Sequence, residues 1–412
     1  MNKIPRVNIY MTLKHLIFAF FKDVKKSKNK IESILKTKLK KENLIFTGMC
    51  RSAFIIILDY LKESFPKKNE IIVCSYNLKE MIDVARLKKF KIKFIDIERQ
   101  NGLINLEKLN DLININTSAL LYTNMFNDHV ILNDLKIICK KNDILFIEDV
   151  AIYYGNYTAD NDKKIMAGSF GDVSLLSFGI MKNISALYGG ALATSNDKLA
   201  IFAQKKITQY QNFPKLLYFK QILLFLILKI LLSKFIYNLF FYYIIKIASN
   251  NEISFIQKLI YPSMKFKMKK SLPEFYYSRI SNISIKIIEQ ILTEEKTKND
   301  EIIRKKNNKT YYYKLRDNNF IKILPIQDIN FQNFLDFPIF VKNKKKLINY
   351  FFDNGIEVRS QFYDNCETIL GDNISKNATY FEKNVICLPS HPLISKKKIL
   401  KICELIDIFY LN

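Results

Sequence analysis

The sequence predicts an α/β protein with a mainly parallel sheet in a large domain and a smaller α+β domain after it. The chain has 412 residues, 49% of them hydrophobic, which exceeds what one hydrophobic core usually accommodates. Short β-rich runs alternate with helical patterns between residues 69 and 150, and this alternation is typical of a parallel sheet flanked by helices. From about residue 265 long helical patterns are followed by short strands and a terminal helix, which indicates a separate α+β domain.

The first 41 residues are predicted to be a basic, amphipathic segment. Residues 15–21 (HLIFAFF) are apolar, but the run is short and residues 22–41 are rich in lysine. A secretion signal would instead end in small residues at a cleavage site. We therefore expect an amphipathic anchor rather than a signal peptide.

The large domain is predicted to span residues 42–264, and the small domain residues 265–412. Ser75, Asn124 and Asp149 each lie at the carboxyl end of a predicted strand. Ligands of parallel sheets bind at this edge. We therefore expect the binding site there.

The charge of the chain favours anionic partners. Lys and Arg number 65 against 39 Asp and Glu, a net charge of +26, and such a field attracts nucleic acid, anionic membranes or phosphorylated substrates. No zinc-finger spacing, RNA-binding aromatic signature or recognition helix is visible. We predict neither a nucleic-acid partner nor a metal site.

The six cysteines are scattered and form no CxxC pair. Most of them lie in apolar runs, as reduced, buried thiols do. This usage predicts a cytoplasmic protein.

Residues 215–248 do not fit the strand and helix alternation. The segment is almost wholly apolar and aromatic, with lysines at intervals. Its longest lysine-free run is shorter than the roughly 20 residues that span a bilayer. We predict that it lies on the inner face of the cell membrane with its lysines reaching toward anionic headgroups; a buried helical hairpin or a dimer interface is the alternative.

Three short segments carry groups that could perform chemistry together. In residues 174–196 an apolar strand ends at Ser177, Lys182 follows five residues later, and two glycines open the next strand. A cofactor with an aldehyde and a phosphate needs a lysine beside a phosphate-binding group. Taken alone, such a pair is usually just a solvated loop.

The other two segments lie upstream. The strand that ends in Glu148 and Asp149 could place a carboxylate beside a ring nitrogen and keep that nitrogen protonated, although carboxylates also cap helices at such positions. The small-residue turn at residues 48–52 leads into a helix, where backbone N–H groups, Arg51 and Ser52 could bind phosphate. The order and spacing of the three segments favour a single site.

With these three segments, the sequence resembles the DegT/DnrJ/StrS family of sugar-nucleotide aminotransferases, which have the fold type I of pyridoxal-phosphate (PLP) enzymes. The resemblance covers roughly residues 46–200 and resumes from about residue 275. The matching stretches are GMCRSAF, NEIIVCSYN, KIKFIDIERQNGLINLEKL, FIEDVAIYYGNY, GSFGDVSLLSFGIMKNISALYGGALAT, FDNGIEVRSQFY and VICLPSHPLIS.

The resemblance implies a role for each candidate residue. Lys182 would form the Schiff base and move the proton during catalysis, and Asp149 would pair with the pyridine nitrogen. Ser177, Arg51 and Ser52 would bind the phosphate. Since a lysine is present where dehydrating relatives have histidine, the resemblance implies transamination, with an amino acid, typically glutamate, as donor and a sugar-nucleotide or lipid-linked keto-sugar as acceptor, for surface polysaccharide assembly. It also implies a homodimer.

The chain departs from the family pattern in the apolar segment 215–248 and at three residues, of which Cys74 replaces a proline. The family's glutamine after the aspartate is replaced by Ile152, and its stacking aromatic by Leu78. A catalytically degenerate homologue that acts as a membrane-associated scaffold is therefore the principal rival interpretation, and an aminotransferase for a different carbonyl compound is a further one. Of the histidines, His391 is expected to be structural and His129 to face the cofactor side of the sheet.

Overall fold

The computed structural model describes residues 3–125, 130–160, 163–250, 267–360, 363–371 and 374–411. Its strands, in chain order, are β1 (Asn43–Thr47), β2 (Glu70–Cys74), β3 (Tyr76–Asn77), β4 (Lys91–Ile95), β5 (Thr117–Thr123), β6 (Leu145–Asp149), β7 (Tyr157–Asp160), β8 (Lys163–Met166), β9 (Val173–Ser177), β10 (Gly190–Thr194), β11 (Gln211–Asn212), β12 (Ser278–Arg279), β13 (Asp336–Phe340), β14 (Asp364–Asn365) and β15 (Val385–Pro389).

The helices of the described residues follow the same order. They are α1 (Leu13–Ala19), α2 (Val24–Leu39), α3 (Cys50–Ser64), α4 (Lys79–Leu87), α5 (Leu106–Leu112), α6 (Leu132–Lys141), α7 (Asp197–Gln209), α8 (Lys215–Leu231), α9 (Lys234–Ile236), α10 (Tyr242–Asn250), α11 (Asn282–Thr293), α12 (Glu295–Leu315), α13 (Lys344–Asp353), α14 (Lys376–Asn384) and α15 (Lys396–Leu411).

A seven-stranded sheet with the order β1-β10-β9-β6-β5-β2-β4 forms the centre of the molecule. Only β10 runs opposite to its neighbours in this sheet. Every residue of β2 and β5 is buried, as expected for strands covered by helices on both faces. The predicted alternation of strands and helices is confirmed.

The strand register brings the predicted site residues to one edge of the sheet. Asp149 pairs with Thr123 across β5 and β6. Ser177 pairs with Gly190, which in turn pairs with Thr47. Since α3 begins three residues after Thr47, the carboxyl ends of β1, β6 and β9 face a common space.

The C-terminal part contains the antiparallel pair β13 and β15, flanked by α12, α13 and α15. It contacts the large sheet region through β14, which pairs with β3. Contacts between described residues cross both predicted boundaries, at residues 41 and 264. Ile4 pairs with Ile356, and α2 packs against α11.

Residues 215–248 form helices that pack against the rest of the chain on one face only. A π-helical turn, Tyr237–Phe241, connects α9 to α10. Within the described part of the chain, no single helix combines the length and apolar character needed to cross a bilayer. The segments Lys215–Leu231 and Lys234–Ser249 reach that length and composition only as a pair, and they are bent by 65°.

Candidate active site

Lys182 lies in the loop between β9 and β10, and backbone hydrogen bonds close this loop at its base. Phe178 N–H donates to Gly189 O at 2.9 Å, and Ala186 N–H donates to Phe178 O at 2.9 Å. Within the loop, Lys182 N–H donates to Gly179 O at 3.0 Å. The side chain of Lys182 is therefore presented from a fixed backbone turn at the carboxyl edge of the sheet.

The environment of Lys182 destabilises the charged form of its amine. Burial lowers its pKa to about 8, against the opposing attraction of Asp149. Arg359 and Arg51 lower the pKa further through their positive charges. A perturbed lysine beside a buried carboxylate is typical of catalytic sites.

Asp149 and Glu148 are adjacent in sequence but have different surroundings. Glu148 is fully buried and accepts N–H groups from Gly168 at 2.6 Å, Gly171 at 2.9 Å and Phe170 at 3.1 Å. These bonds occupy both of its carboxylate oxygens. Glu148 therefore orders the loop before β9 and is not available to a ligand.

Asp149 is 5% exposed, and its Oδ1 accepts the N–H of Ala151 at 2.8 Å. Burial raises its pKa, while the bond to Ala151 and the charge of Lys182 oppose that rise. A positive charge brought next to this carboxylate would be stabilised. Of the two neighbouring carboxylates, Asp149 is thus the one suited to a cationic ring nitrogen.

The start of α3 has polar groups that no other group of the described chain satisfies. No side chain caps this helix at Met49. Arg51 Nε and Ser52 Oγ are buried polar atoms without a hydrogen-bond partner, although unpaired buried polar atoms are rare in proteins. The N–H groups and positive dipole end of a helix bind phosphate well.

Ser177 and the α3 start meet on the two sides of Gly190. A Cβ added at Gly190 would lie 2.2 Å from Cys50 N and 2.3 Å from Met49 C, so only glycine permits this close approach. A Cβ at Gly179 would lie 3.9 Å from Ser177 Oγ and 3.7 Å from Lys182 Cγ. The hydroxyl of Ser177 thus lies next to the lysine loop, on the strand that pairs with Gly190.

These surroundings fit a cofactor that carries an aldehyde, a ring nitrogen and a phosphate. Lys182 offers a largely desolvated amine, and Asp149 offers a buried carboxylate. The unpaired Arg51 Nε and Ser52 Oγ mark where a phosphate would satisfy buried donors. We regard the fit as good because each chemical part of PLP meets a complementary group.

The structure adds residues to the site that sequence reasoning did not assign. Arg359 lies in the quoted FDNGIEVRSQFY stretch, and its Nε pairs with Asp336 Oδ2 at 3.1 Å. Tyr363 lies close enough to Asp149 for that carboxylate to raise its pKa, after burial as the main cause. Arg304 of α12 donates to Asn183 Oδ1 at 2.6 Å, directly beside Lys182. No local motif distinguishes Arg304 in the sequence.

The remaining strand-end residues and histidines considered in the sequence lie in different places. Asn124 is buried at the site edge, and its Oδ1 has no partner. Ser75 Oγ is instead 2.6 Å from Ser375 Oγ in the C-terminal part. His391 Nε2 contacts Pro5 O at 2.9 Å, and burial lowers its pKa to about 4, which agrees with a structural role. His129 lies outside the described residues.

Two of the residues that depart from the family pattern, Leu78 and Ile152, are partly buried. Leu78 precedes α4 as its N-cap residue, and Ile152 follows Asp149 by three residues; both pack against the main core. Neither side chain can donate a hydrogen bond. Any contact that they make with a cofactor ring is therefore apolar.

Comparison with known proteins places this geometry in context. The model of the DegT/DnrJ/EryC1/StrS aminotransferase family matches residues 19–215. The GDP-perosamine synthase of Vibrio cholerae is 32% identical over 104 residues, which are 25% of this chain and 27% of that protein. The aligned stretches span 33% and 27% of two curated relatives, so the chain matches a third or less of their length.

Solved structures match over almost the whole chain. The aminotransferase PseC of Helicobacter pylori, involved in the biosynthesis of pseudoaminic acid, has a TM-score of 0.72 at 16% identity and covers 100% of both chains. The E. coli GDP-4-keto-6-deoxy-D-mannose-3-dehydratase with bound hydrated PLP has a TM-score of 0.72 at 17% identity, covering 98% of this chain and 99% of that one. The predicted fold type I of PLP enzymes is thereby confirmed.

Proposed function

We infer that this protein, whose residues 19–215 belong to the DegT/DnrJ/EryC1/StrS aminotransferase family, is a PLP-dependent aminotransferase. One observation carries the proposal: Lys182, with a pKa lowered to about 8, and the buried Asp149 act on each other beside a helix start that has unpaired donors. These are the groups that PLP needs. The related aminotransferases and dehydratases share the fold, so the fold alone does not select the reaction.

We assign each residue of the site a separate role in transamination. When bound, PLP supplies an electron sink for the negative charge that develops at the reacting carbon. Asp149 holds the proton on the ring nitrogen. Arg51, Ser52 and Ser177 hold the phosphate and so fix the orientation of the ring.

Lys182 is the base and acid of the reaction. Its pKa of about 8 leaves part of the amine neutral near neutral pH, so Nζ can accept a proton from the Cα of the amino donor. The same Nζ, once protonated, can deliver that proton to the C4′ carbon of PLP. General acid–base catalysis of this kind contributes roughly 10²–10⁴-fold in rate.

We propose glutamate as the donor and a keto-sugar attached to a nucleotide or lipid as the acceptor, in surface polysaccharide assembly. The family match and the similarity to GDP-perosamine synthase support a sugar acceptor. Lys182 favours transamination over dehydration, because dehydrating relatives have histidine at this position. We also propose that the protein is cytoplasmic, and the six free cysteines support this location. We further propose that it is a homodimer, which light scattering would test.

A spectroscopic experiment tests the proposed function. The purified chain, loaded with PLP, should show a visible absorption band that glutamate discharges and a keto-sugar nucleotide restores. The rival, a degenerate scaffold homologue, is motivated by Ile152 and Leu78, which replace polar or aromatic groups of the family. A chain that retains no PLP, or a band that no amino acid discharges, would support that rival.

A further inference from the structure

The helices of residues 215–250 expose an unusually large apolar surface. We call it the apolar ridge, and it consists of side chains that are each at least 41% exposed. They are Leu216, Phe219, Leu223, Ile227 and Ile230 on α8, and Phe235, Leu239, Phe240, Tyr243, Ile244 and Ile247 on the segment that follows. The α8 members recur every three or four residues, so they lie along one side of that helix. Contiguous exposed patches of this kind mark interaction sites.

The opposite side of the same helices is firmly packed. Tyr218 OH lies 3.1 Å from Ser284 Oγ of α11, and Gln221 Nε2 donates to Leu187 O at 3.1 Å. Tyr237 and Tyr242 belong to a buried cluster with Phe352. Since the inner face is fixed by these contacts, the ridge is a defined outer surface of the folded chain.

The N-terminal helix α1 exposes a second apolar set. The exposed members are Leu13, Ile17 and Phe18, followed by Phe20 and Phe21. Lys229 of α8 donates through Nζ to Ile9 O at 2.7 Å, so α8 contacts the strand-like stretch that leads into α1. The two apolar surfaces therefore belong to neighbouring elements.

Positive charge outweighs negative charge around these surfaces. Residues 215–248 contain five lysines and no Asp or Glu, and residues 3–22 also contain no acidic residue. Lys215, Lys220 and Lys234 are exposed. Near the start of α15, four lysines and one acidic residue, Glu404, line a surface groove together with Ile4.

We propose that the apolar ridge and the exposed face of α1 dock the protein onto an anionic phospholipid surface, with the ridge in the acyl boundary and the surrounding lysines at the headgroups. Neither Lys215–Leu231 nor Lys234–Ser249 can cross a bilayer alone, and the two are bent relative to each other. Such helices suit a position parallel to the membrane plane. Aromatic side chains within the ridge fit the interfacial region of a bilayer.

A second copy of this chain fits the surface less well. In a two-fold dimer the same patch meets itself, so the excess lysines of both copies would face each other, and like charges oppose such pairing. Lysine is also depleted in protein interfaces. An anionic lipid surface satisfies both the apolar area and the charge.

Co-sedimentation with vesicles tests the proposal on the full chain. We expect the PLP-loaded protein to bind vesicles of phosphatidylcholine mixed with phosphatidylglycerol, and to bind pure phosphatidylcholine vesicles much more weakly. The ridge variant Phe219→Glu, Leu223→Glu and Ile227→Glu should lose binding to both. The altered side chains are exposed, so circular dichroism and thermal unfolding should match the parent.

A matched control separates the ridge from net charge. Ile115→Glu, Ile137→Glu and Ile201→Glu add the same three charges at exposed apolar positions elsewhere, and this control should still bind. If the parent fails to bind anionic vesicles, or if both glutamate variants lose binding equally, the proposal is wrong.

A lysine series tests the electrostatic part. Lys215→Gln, Lys220→Gln and Lys234→Gln should weaken binding to anionic vesicles by about a hundredfold at low salt and should reduce its salt dependence. Lys108→Gln, Lys140→Gln and Lys141→Gln remove the same charge from α5 and α6, and they should have little effect. Equal affinity of the two lysine variants would overturn the assignment of the lysines to the headgroups.

Discussion

The amine of Lys182 loses solvation inside the site, and this loss lowers its pKa to about 8. Only the neutral amine can bond to an aldehyde, so the rate at which PLP reconstitutes the cofactor-free protein should depend on pH. Because the folded-state pKa is lowered, the neutral form dominates above about pH 8. We expect the rate to rise with pH through that value and then level off, as followed by visible absorbance.

The same pH profile separates the effects of neighbouring charges. Asp149 raises the pKa of Lys182 and opposes its desolvation, so Asp149→Asn should move the midpoint of the profile to lower pH. A midpoint that stays in place, or moves upward, would show that Asp149 does not act on this amine.

Asp149 and Glu148 should differ sharply in what their substitution changes. Asp149→Asn removes the charge that keeps the ring nitrogen protonated, so we expect turnover to fall by about 10²-fold or more with the fold intact. Glu148→Gln leaves backbone N–H groups of the loop facing an amide instead of a carboxylate. It should lower thermal stability by about 1–3 kcal/mol. Turnover per folded molecule measures the first effect, and the unfolding midpoint measures the second. If Glu148→Gln lost turnover and Asp149→Asn lost stability, Glu148 rather than Asp149 would be the carboxylate that acts on the ring.

At the level of elements, α12 should act as a support for the lysine loop. Arg304 is 3% exposed, and its guanidinium lies over the ring of Tyr10, 4.7 Å from the centroid, while Nη1 bonds Asn183 Oδ1. Arg304→Met should leave Asn183 without this donor. We expect a stability loss of about 1–3 kcal/mol and weaker retention of PLP.

A double-mutant cycle with Asn183→Ala tests that support directly. If Arg304 acts through Asn183, the effects of the two substitutions on PLP affinity should be less than additive. Strictly additive effects would place the influence of Arg304 elsewhere, for example on its contact with Tyr10.

The contrast between α12 and the central strands shows what the sequence reveals. The strands β2, β5 and β6 read as apolar runs, so their existence and the edge at which they end were predictable from periodicity. The helix α12 instead buries Arg304, Asn307, Asn308 and Tyr311. A polar buried face produces no apolar periodicity, and its partners lie far away in the chain. The contact between Arg304 and Asn183 therefore could not be predicted.

In the candidate site, too, some residues were predictable from local sequence pattern and others were not. Lys182, Asp149, Ser177, Arg51 and Ser52 were predicted because each adjoins a strand end or a helix start in a recognisable order. Their roles toward a cofactor remain predictions. Arg359 and Tyr363 come from the C-terminal part, and only tertiary packing of that part on the sheet brings them to the site.

At the scale of the whole molecule, one buried ion pair joins three distant segments. Arg6 Nε bonds Glu357 Oε1 at 3.0 Å with both side chains nearly inaccessible, and Tyr237 OH donates to Glu357 Oε2 at 2.8 Å. Removing one member of a buried pair costs about 3–5 kcal/mol. We therefore expect Glu357→Gln to lower the free energy of unfolding by a few kcal/mol.

An exposed ion pair in the same region provides the comparison. Lys246 and Asp353 are 2.7 Å apart, with side chains 29% and 60% exposed, and pairs of this kind contribute about 0–1 kcal/mol. Denaturant unfolding of Glu357→Gln and Asp353→Asn should differ accordingly. Similar small losses would mean that the N-terminal segment is not held through Arg6.

The central claim is that Lys182 is the lysine that binds PLP, and chemical trapping tests it most directly. Borohydride reduction of the PLP-loaded protein makes the bond between cofactor and lysine permanent, and mass spectrometry of the peptides then identifies the lysine. We predict one modified peptide, the one containing Lys182, and no such label in Lys182→Ala, which should also lack turnover. A label on another of the many lysines, or turnover retained in Lys182→Ala, would contradict the account.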